Sequence, residues 1–129
     1  IMMDTKLYDL TNPQKSIWLT EQFYRGTSIN VICGTVLIDD IVNFDVLSKA
    51  INIFLKDNDS FRIKLCLDEN GEVKQFFQDF CEKHFDVLNV SNNIEFKNLE
   101  KEIATSPFNI LEDALFPRIH YKKSVHESH

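Results

Sequence analysis

No two cysteines stand close enough in the chain to form a metal-binding or redox pair. Cys33, Cys66 and Cys81 are odd in number and widely spaced. Without a Cys-x-x-Cys there is neither a zinc ribbon nor a dithiol motif. The three read better as buried free thiols than as a disulfide, which belongs to oxidising compartments. Basic charge is also short: 14 Lys and Arg against 20 Asp and Glu leave a net charge of −6. The lysines are scattered among acids, so no cationic footprint for nucleic acid exists, and anionic membrane is disfavoured on the same ground. No apolar run approaches the length of a membrane span. The N-terminus has neither the cationic nor the long apolar region of a signal peptide. These absences together lead us to expect a cytoplasmic protein.

What is present suffices for one domain. The chain has 129 residues, 43% of them hydrophobic and eleven of them phenylalanine, enough to fill a sizeable core. The stretch that organises it is Leu10-Thr11-Asn12-Pro13-Gln14-Lys15-Ser16-Ile17-Trp18. Thr11 suits a helix N-cap, since its hydroxyl can accept from an unpaired amide of the first turn. Pro13 falls where no backbone donor is needed. Gln14, three residues on, can close a capping box. The helix should run to about Tyr24, with apolar residues spread around its axis as if contacted on more than one side. Gly26 then supplies a left-handed C-terminal conformation.

Ile29 to Ile38 is almost continuously apolar and β-branched, the pattern of a strand covered on both faces; Gly34 within it marks a bulge or a close backbone approach. Asn43 caps a second helix from Phe44 to about Lys56, with Leu47, Ala50, Ile51 and Phe54 at helical spacing. Ser60 to Leu67 alternates: Phe61, Ile63, Leu65 and Leu67 share one face, Arg62, Lys64 and Cys66 the other. Asp68-Glu69-Asn70-Gly71 reads as a hairpin loop returning through Glu72 to Gln78. A weaker strand follows over Phe85 to Val90. A third helix spans about Ile94 to Thr105, with Phe96, Leu99 and Ile103 inward and Pro107 ending it. Leu115 to Lys123 reads as a last strand, and Ser124 to His129 as a frayed tail. Interleaved helices and strands with one hairpin favour a two-layer or sandwich α/β fold with a mixed sheet.

The histidines offer no defined site. His84, His120, His126 and His129 lack a nucleophile or carboxylate partner that sequence can place. His126 and His129, three apart in the tail, make a weak metal site at most. We expect no catalytic, cofactor-binding or metal-ligating residue in this chain.

With Tyr8-Asp9 before it, the Thr11–Trp18 stretch resembles the opening Ser/Thr-x-x-Gln-x-x-x-Trp motif of the condensation domain of nonribosomal peptide synthetases. Further matches come in the family's order. Asn30 to Ile38 is similar to its long strand and Phe44 to Leu55 to its second helix. Lys56-Asp57-Asn58-Asp59-Ser60-Phe61-Arg62 resembles the motif Arg-His-Glu-x-Leu-Arg-Thr-x-Phe; Arg62 falls on the second arginine, while Asn58-Asp59 and neighbours depart from Arg-His-Glu. Gly71-Glu72-Val73-Lys74-Gln75 is similar to an Asp-Gly-x-x-x-Gln hairpin, and Pro107-Phe108-Asn109-Ile110 to Arg118 to a Pro-Phe-x-Leu…Pro-Leu-x-Arg segment. The family's catalytic His-His-x-x-x-Asp-Gly is not among the 129 residues.

The resemblance implies the N-terminal lobe of a chloramphenicol acetyltransferase-like fold, with residues 1–129 its front portion. It implies amide formation between two acyl or aminoacyl groups carried on phosphopantetheine arms of partner carrier proteins, with the second histidine of the absent motif handling the amine. It implies structural roles for Thr11, Gln14, Trp18 and Arg62, with Arg62 paired to the aspartate of that motif; read without it, Arg62 is an ordinary strand arginine on a solvated face. This chain alone would then be inactive, with the rest of the domain and carrier proteins as partners. The alternative is a non-catalytic interaction module that uses an exposed sheet edge. In either case the apolar strands lead us to expect a homodimer of the isolated chain.

Overall fold

Local capping chemistry sets where each helix begins. In this computed structural model, which describes residues 4–113 and 119–124, helix α1 (Asn12–Phe23) starts on the reciprocal box. The Thr11 hydroxyl accepts from the Gln14 N–H at 3.4 Å, and Gln14 Oε1 accepts from the Thr11 N–H at 2.8 Å. Helix α2 (Phe44–Asp57) starts on Asn43, whose Oδ1 accepts from the amides of Asp45 and Val46. Helix α3 (Asn93–Thr105) starts on Asn92, whose Oδ1 accepts from Glu95 N–H at 2.8 Å.

Strands β1 (Ile63–Leu67) and β2 (Val73–Phe77) form an antiparallel hairpin in the register Leu67↔Val73 to Ile63↔Phe77. Its loop is built by Asp68, whose carboxylate accepts from the amides of Asn70 and Glu72, both at 2.9 Å. Gly71 closes the turn at φ 77°, a conformation that costs an L side chain strain. The N-terminal segment adds a rung on the outer side of β2: Tyr8 and Gln75 exchange two backbone hydrogen bonds of 2.9 Å. Strand β3 (Val87–Val90), α3 and β4 (Tyr121–Ser124) form a β-α-β unit in which β3 and β4 run parallel, Val87 opposite Tyr121. The fold is thus α/β with both pairing senses, divided between two two-stranded sheets.

Two small cores result. Leu10, Leu65 and Ile110 form one, with Trp18, Ile63, Val73, Phe108 and Leu111 against it. The other centres on Tyr121, whose ring lies 5.1 Å from Phe44 and 5.5 Å from Phe85, with its hydroxyl 2.9 Å from Ser48 Oγ. Asn52 holds α2 to the segment before β3: it accepts from Lys83 N–H at 2.7 Å and donates to Lys83 O at 3.0 Å.

Several expectations are corrected. Ile29 to Ile38 is not a strand: Ile29 and Asn30 lie in a turn closed by the Val31 N–H on Ser28 O, and a strand exists only through ladder bonds, which the residues after it do not make among the described residues. Gly34 marks no close approach, since a Cβ there would meet nothing within 4 Å. Helix α1 is not contacted on more than one side by the described residues: Trp18 and Glu21 turn inward, while Ile17, Leu19, Phe23 and Tyr24 are exposed. On α2, Leu47 and Ile51 turn partly inward, but Ala50 and Phe54 are exposed, and the buried positions are Asn52 and Leu55. Asp59–Arg62 forms a 3-10 turn, so β1 starts three residues later than the alternation suggests. Cys33 and Cys81 are exposed rather than buried. Ser124 ends β4 rather than opening a frayed tail. The expected start of the last strand at Leu115, the match at Arg118, and His126 and His129 lie outside the described residues.

Candidate functional site

Two polar joints hold the elements that carry the sequence motifs. The first joins α1 to the hairpin through two glutamines. Gln14 Nε2 donates to Gln75 Oε1 at 2.7 Å, and Gln75 Nε2 donates back to Gln14 Oε1 at 3.1 Å. Gln75 Nε2 also donates to Asp9 O at 2.8 Å, while Gln14 Oε1 takes the Thr11 amide. Gln75 is buried, so each of these bonds replaces water that the side chain has lost. One closed network thereby ties the helix cap, the N-terminal rung and β2. At its rim Lys74 is hydrogen-bonded to the Asp9 carboxylate. That bond holds the Asp9 carboxyl below its ordinary value and lifts the Lys74 ammonium above its own. Trp18, one turn further along α1, lies half-buried against the Leu10–Leu65–Ile110 core.

The second joint is Arg62. It sits neither on a solvated face nor, among the described residues, against a carboxylate. Its Nη1 donates to Leu55 O at 2.6 Å and Lys56 O at 2.9 Å, and its Nε donates to Gln78 O at 3.0 Å. Leu55 and Lys56 are in the last turn of α2, where carbonyls have no partner within the helix and the macrodipole is negative. Asn58 Nδ2 satisfies a third, Phe54 O, at 2.8 Å. A cation is therefore fixed where α2, the 3-10 turn and the end of β2 converge. The planar fork reaches three carbonyls of two elements at once, which a lysine cannot do. Beside it is a small cavity of about 30 Å³ walled by Leu55, Phe61, Gln78 and Phe80.

The joints bring Thr11, Gln14 and Trp18 into one region against the middle of the hairpin, and leave Arg62 at its open end, where Gln78 follows β2. Sequence reasoning quoted Gln75 only as part of a hairpin pattern; a glutamine at an inward position of a strand was the signal that it needed a buried partner. Asn52 in the middle of an apolar helix gave the same signal. Glu21 also escaped notice: it is buried, and Asn30 Nδ2 donates to its Oε1 at 2.8 Å. His84 and His120 are exposed. Among the described residues no group of three His, Cys, Asp or Glu side chains could hold a metal ion, and no helix is long and apolar enough to cross a membrane.

Comparison with known proteins bears on the same elements. The family model described as "Condensation domain" matches residues 4–129. Surfactin synthase subunit 1 of Bacillus subtilis (strain 168) is 35% identical over 120 residues, a match covering 88% of this chain and 3% of that protein. The starter condensation domain of rhizomide synthetase superposes with a TM-score of 0.76 at 19% identity, over 92% of this chain and 30% of that one. The first condensation domain of the calcium-dependent antibiotic (CDA) synthetase gives 0.71 at 16% identity, over 85% and 31%. The chain thus spans less than a third of the solved domains and a small fraction of the synthetase subunit it matches. Its mixed α/β fold is the one those domains share, and the chain belongs to the condensation-domain family of nonribosomal peptide synthetases.

Proposed function

We propose that residues 1–129 are the N-terminal portion of a condensation domain that forms an amide between two carrier-protein-bound acyl or aminoacyl groups. The observation that carries this reading is the family match over residues 4–129, by a chain spanning less than a third of the solved domains. In the complete reaction an amine nitrogen attacks a thioester carbonyl, the C–S bond breaks, the phosphopantetheine thiol leaves, and the amine gives up a proton. The groups handling that proton belong to His-His-x-x-x-Asp-Gly, which is not in this sequence. The chain's own residues are architectural. Thr11, Gln14 and Trp18 seat α1 on the hairpin, and Arg62 presents a fixed cation at the end of α2 for the aspartate of that motif. The partners are the rest of the domain and carrier proteins in the cytoplasm; the phosphopantetheine arrives on the carriers and is not bound as a resident cofactor.

Mixing the purified chain with two loaded carrier proteins tests this. The expected result is no amide product, since losing a positioned proton-transfer group alone costs about 10²–10⁴-fold in rate. Supplying the remainder of the domain, co-expressed or fused, should restore product. Product from the chain alone would overturn the assignment.

A second reading, a non-catalytic module that associates through an exposed sheet edge and self-associates as a dimer, is favoured by one observation: the apolar segment after Asn30 has no ladder partner among the described residues.

A further inference from the structure

Asn70-Gly71 is the only place in the chain where asparagine precedes glycine; every other asparagine is followed by a residue with a side chain. The pair stands at the tip of the β1–β2 hairpin, with both residues exposed. The Asn70 side-chain amide makes no hydrogen bond among the described residues. Asparagine is thermolabile, because the backbone nitrogen of the next residue can attack its side-chain carbonyl carbon when nothing crowds the approach. Gly71 carries no Cβ, and the space where one would stand has no other atom within 4 Å.

The turn controls when that nitrogen is available. Gly71 N–H donates to Asp68 O at 3.0 Å, and Asp68 N–H donates to Glu72 O at 2.8 Å. The Asp68 carboxylate accepts from the Asn70 and Glu72 amides, each at 2.9 Å. While these bonds hold, the Gly71 amide is engaged and its direction from Asn70 is fixed. A few solvent-exposed bonds at a loop tip belong to the low end of a fold's local stability, so the turn opens without global unfolding.

We propose that Asn70 is a site of spontaneous modification, converting through a succinimide to aspartate and isoaspartate at a rate gated by opening of the Asp68–Gly71 turn. Hydroxide takes the Gly71 amide proton, and the nitrogen bonds to Asn70 Cγ. The Cγ–Nδ2 bond breaks, and ammonia leaves with a proton from water. Water then adds to one of the two ring carbonyls. Breaking the bond from nitrogen to Cγ gives aspartate; breaking the bond to the main-chain carbonyl carbon gives isoaspartate, in which the chain runs through Cγ. One water is consumed and one ammonia released. Either product sets a new carboxylate among Asp68, Glu69 and Glu72, where like charges repel. Isoaspartate also lengthens the backbone of a loop whose ends are fixed by the Leu67–Val73 pair, so conversion loosens the hairpin.

Incubation of the full chain at mildly alkaline pH, with peptide mapping by mass spectrometry that separates asparagine, aspartate and isoaspartate, is the test. Asn70 should convert ahead of every other asparagine. Asp68→Ala should hasten the conversion about tenfold, the effect of one or two lost net hydrogen bonds. Asp68→Asn keeps an oxygen acceptor for the two amides and should stay near the parent rate, while the chain unfolded in guanidinium chloride should convert at least as fast as Asp68→Ala. Another asparagine converting first overturns the site. A native rate equal to the unfolded one, or unmoved by Asp68→Ala, overturns the gating by the turn. Hydrogen exchange of the β2 amides should quicken in converted chain, and unchanged exchange overturns the loosening.

Discussion

Replacing Arg62 by alanine should destabilise the chain by about 2–3 kcal/mol. The structure allows the estimate to be built bond by bond. A hydrogen bond from a charged donor contributes about 1.5–3 kcal/mol where water is excluded, and much less where water can take its place. Of the three bonds, the one to Leu55 O is part-buried, while those to Lys56 O and Gln78 O are exposed. The first therefore carries most of the loss, and the exposed pair together with the helix macrodipole add about 1 kcal/mol. If the last turn of α2 also frays, Leu55, only 4% exposed, loses its burial, and the cost rises by about another 2 kcal/mol. Urea unfolding of the parent, Arg62→Ala and Arg62→Lys would separate these cases. Lysine should recover under half of the loss, because one ammonium on a flexible stem cannot serve carbonyls of α2 and of Gln78 together. Hydrogen exchange of the amides in the last turn of α2 tells whether that turn opens. An alanine variant within about 0.5 kcal/mol of the parent, the scale of an ordinary surface change, would refute the account of Arg62 as the joint between α2 and the hairpin.

Other expectations follow from the remaining contacts. Gln75→Leu, which strands Gln14 Nε2 and Asp9 O in a part-buried place, should cost about 2–4 kcal/mol in the same unfolding assay; a Gln14→Ala/Gln75→Ala cycle should show coupling of about 1 kcal/mol or more. Burial pushes the Cys66 thiol above its ordinary value, so timed alkylation at mildly alkaline pH with mass-spectrometric readout should modify Cys33 and Cys81 well before Cys66. The Asp9–Lys74 pair has a lowered acid and a raised base. Its contribution is therefore present at neutral pH, lost as pH falls through the depressed Asp9 value, and lost again as pH rises through the elevated Lys74 value. Asp9→Asn should remove the acid-side loss in thermal melts, and because Asp9 is largely exposed the difference should shrink with added salt.

The parts of the fold legible in the sequence are those whose cause is local. Thr11, Asn43 and Asn92 each cap the helix that follows through bonds reaching no further than three residues. Gly71 and Asp68 fix the hairpin in the same way. The alternation of β1 survives only at its centre, where Leu65 is buried in a core with Leu10 and Ile110, whereas Leu67 at its end is exposed. The site was less legible. Gln14 shows in sequence as a capping residue, yet its second task, pairing with Gln75 across 61 positions, depends on how two elements dock. Arg62 was read on a strand face, but the 3-10 turn redirects it onto the end of α2. Neither docking angle nor turn type is written in periodicity.

The two largest departures share one physical origin. Helix α2 has apolar residues around half its circumference, and the half that is buried is displaced from the centre of that arc. Ser48 and Asn52 face inward, where Tyr121 and Lys83 satisfy them, while Val46, Ala50, Ile53 and Phe54, spaced along one stripe, face outward. The Ile29–Ile38 run is likewise apolar on both sides, and Ile29, Ile32, Val36, Leu37 and Ile38 in it are exposed among the described residues. Each pattern specifies a neighbour, and sequence reasoning took the neighbour as given because burial is what such patterns ordinarily report. Stability alone would not favour exposed isoleucines and leucines at these spacings, since each could be polar at no cost to the contacts described. Their periodicity therefore records a second packing surface, which in the proposed enzyme the remainder of the domain would cover.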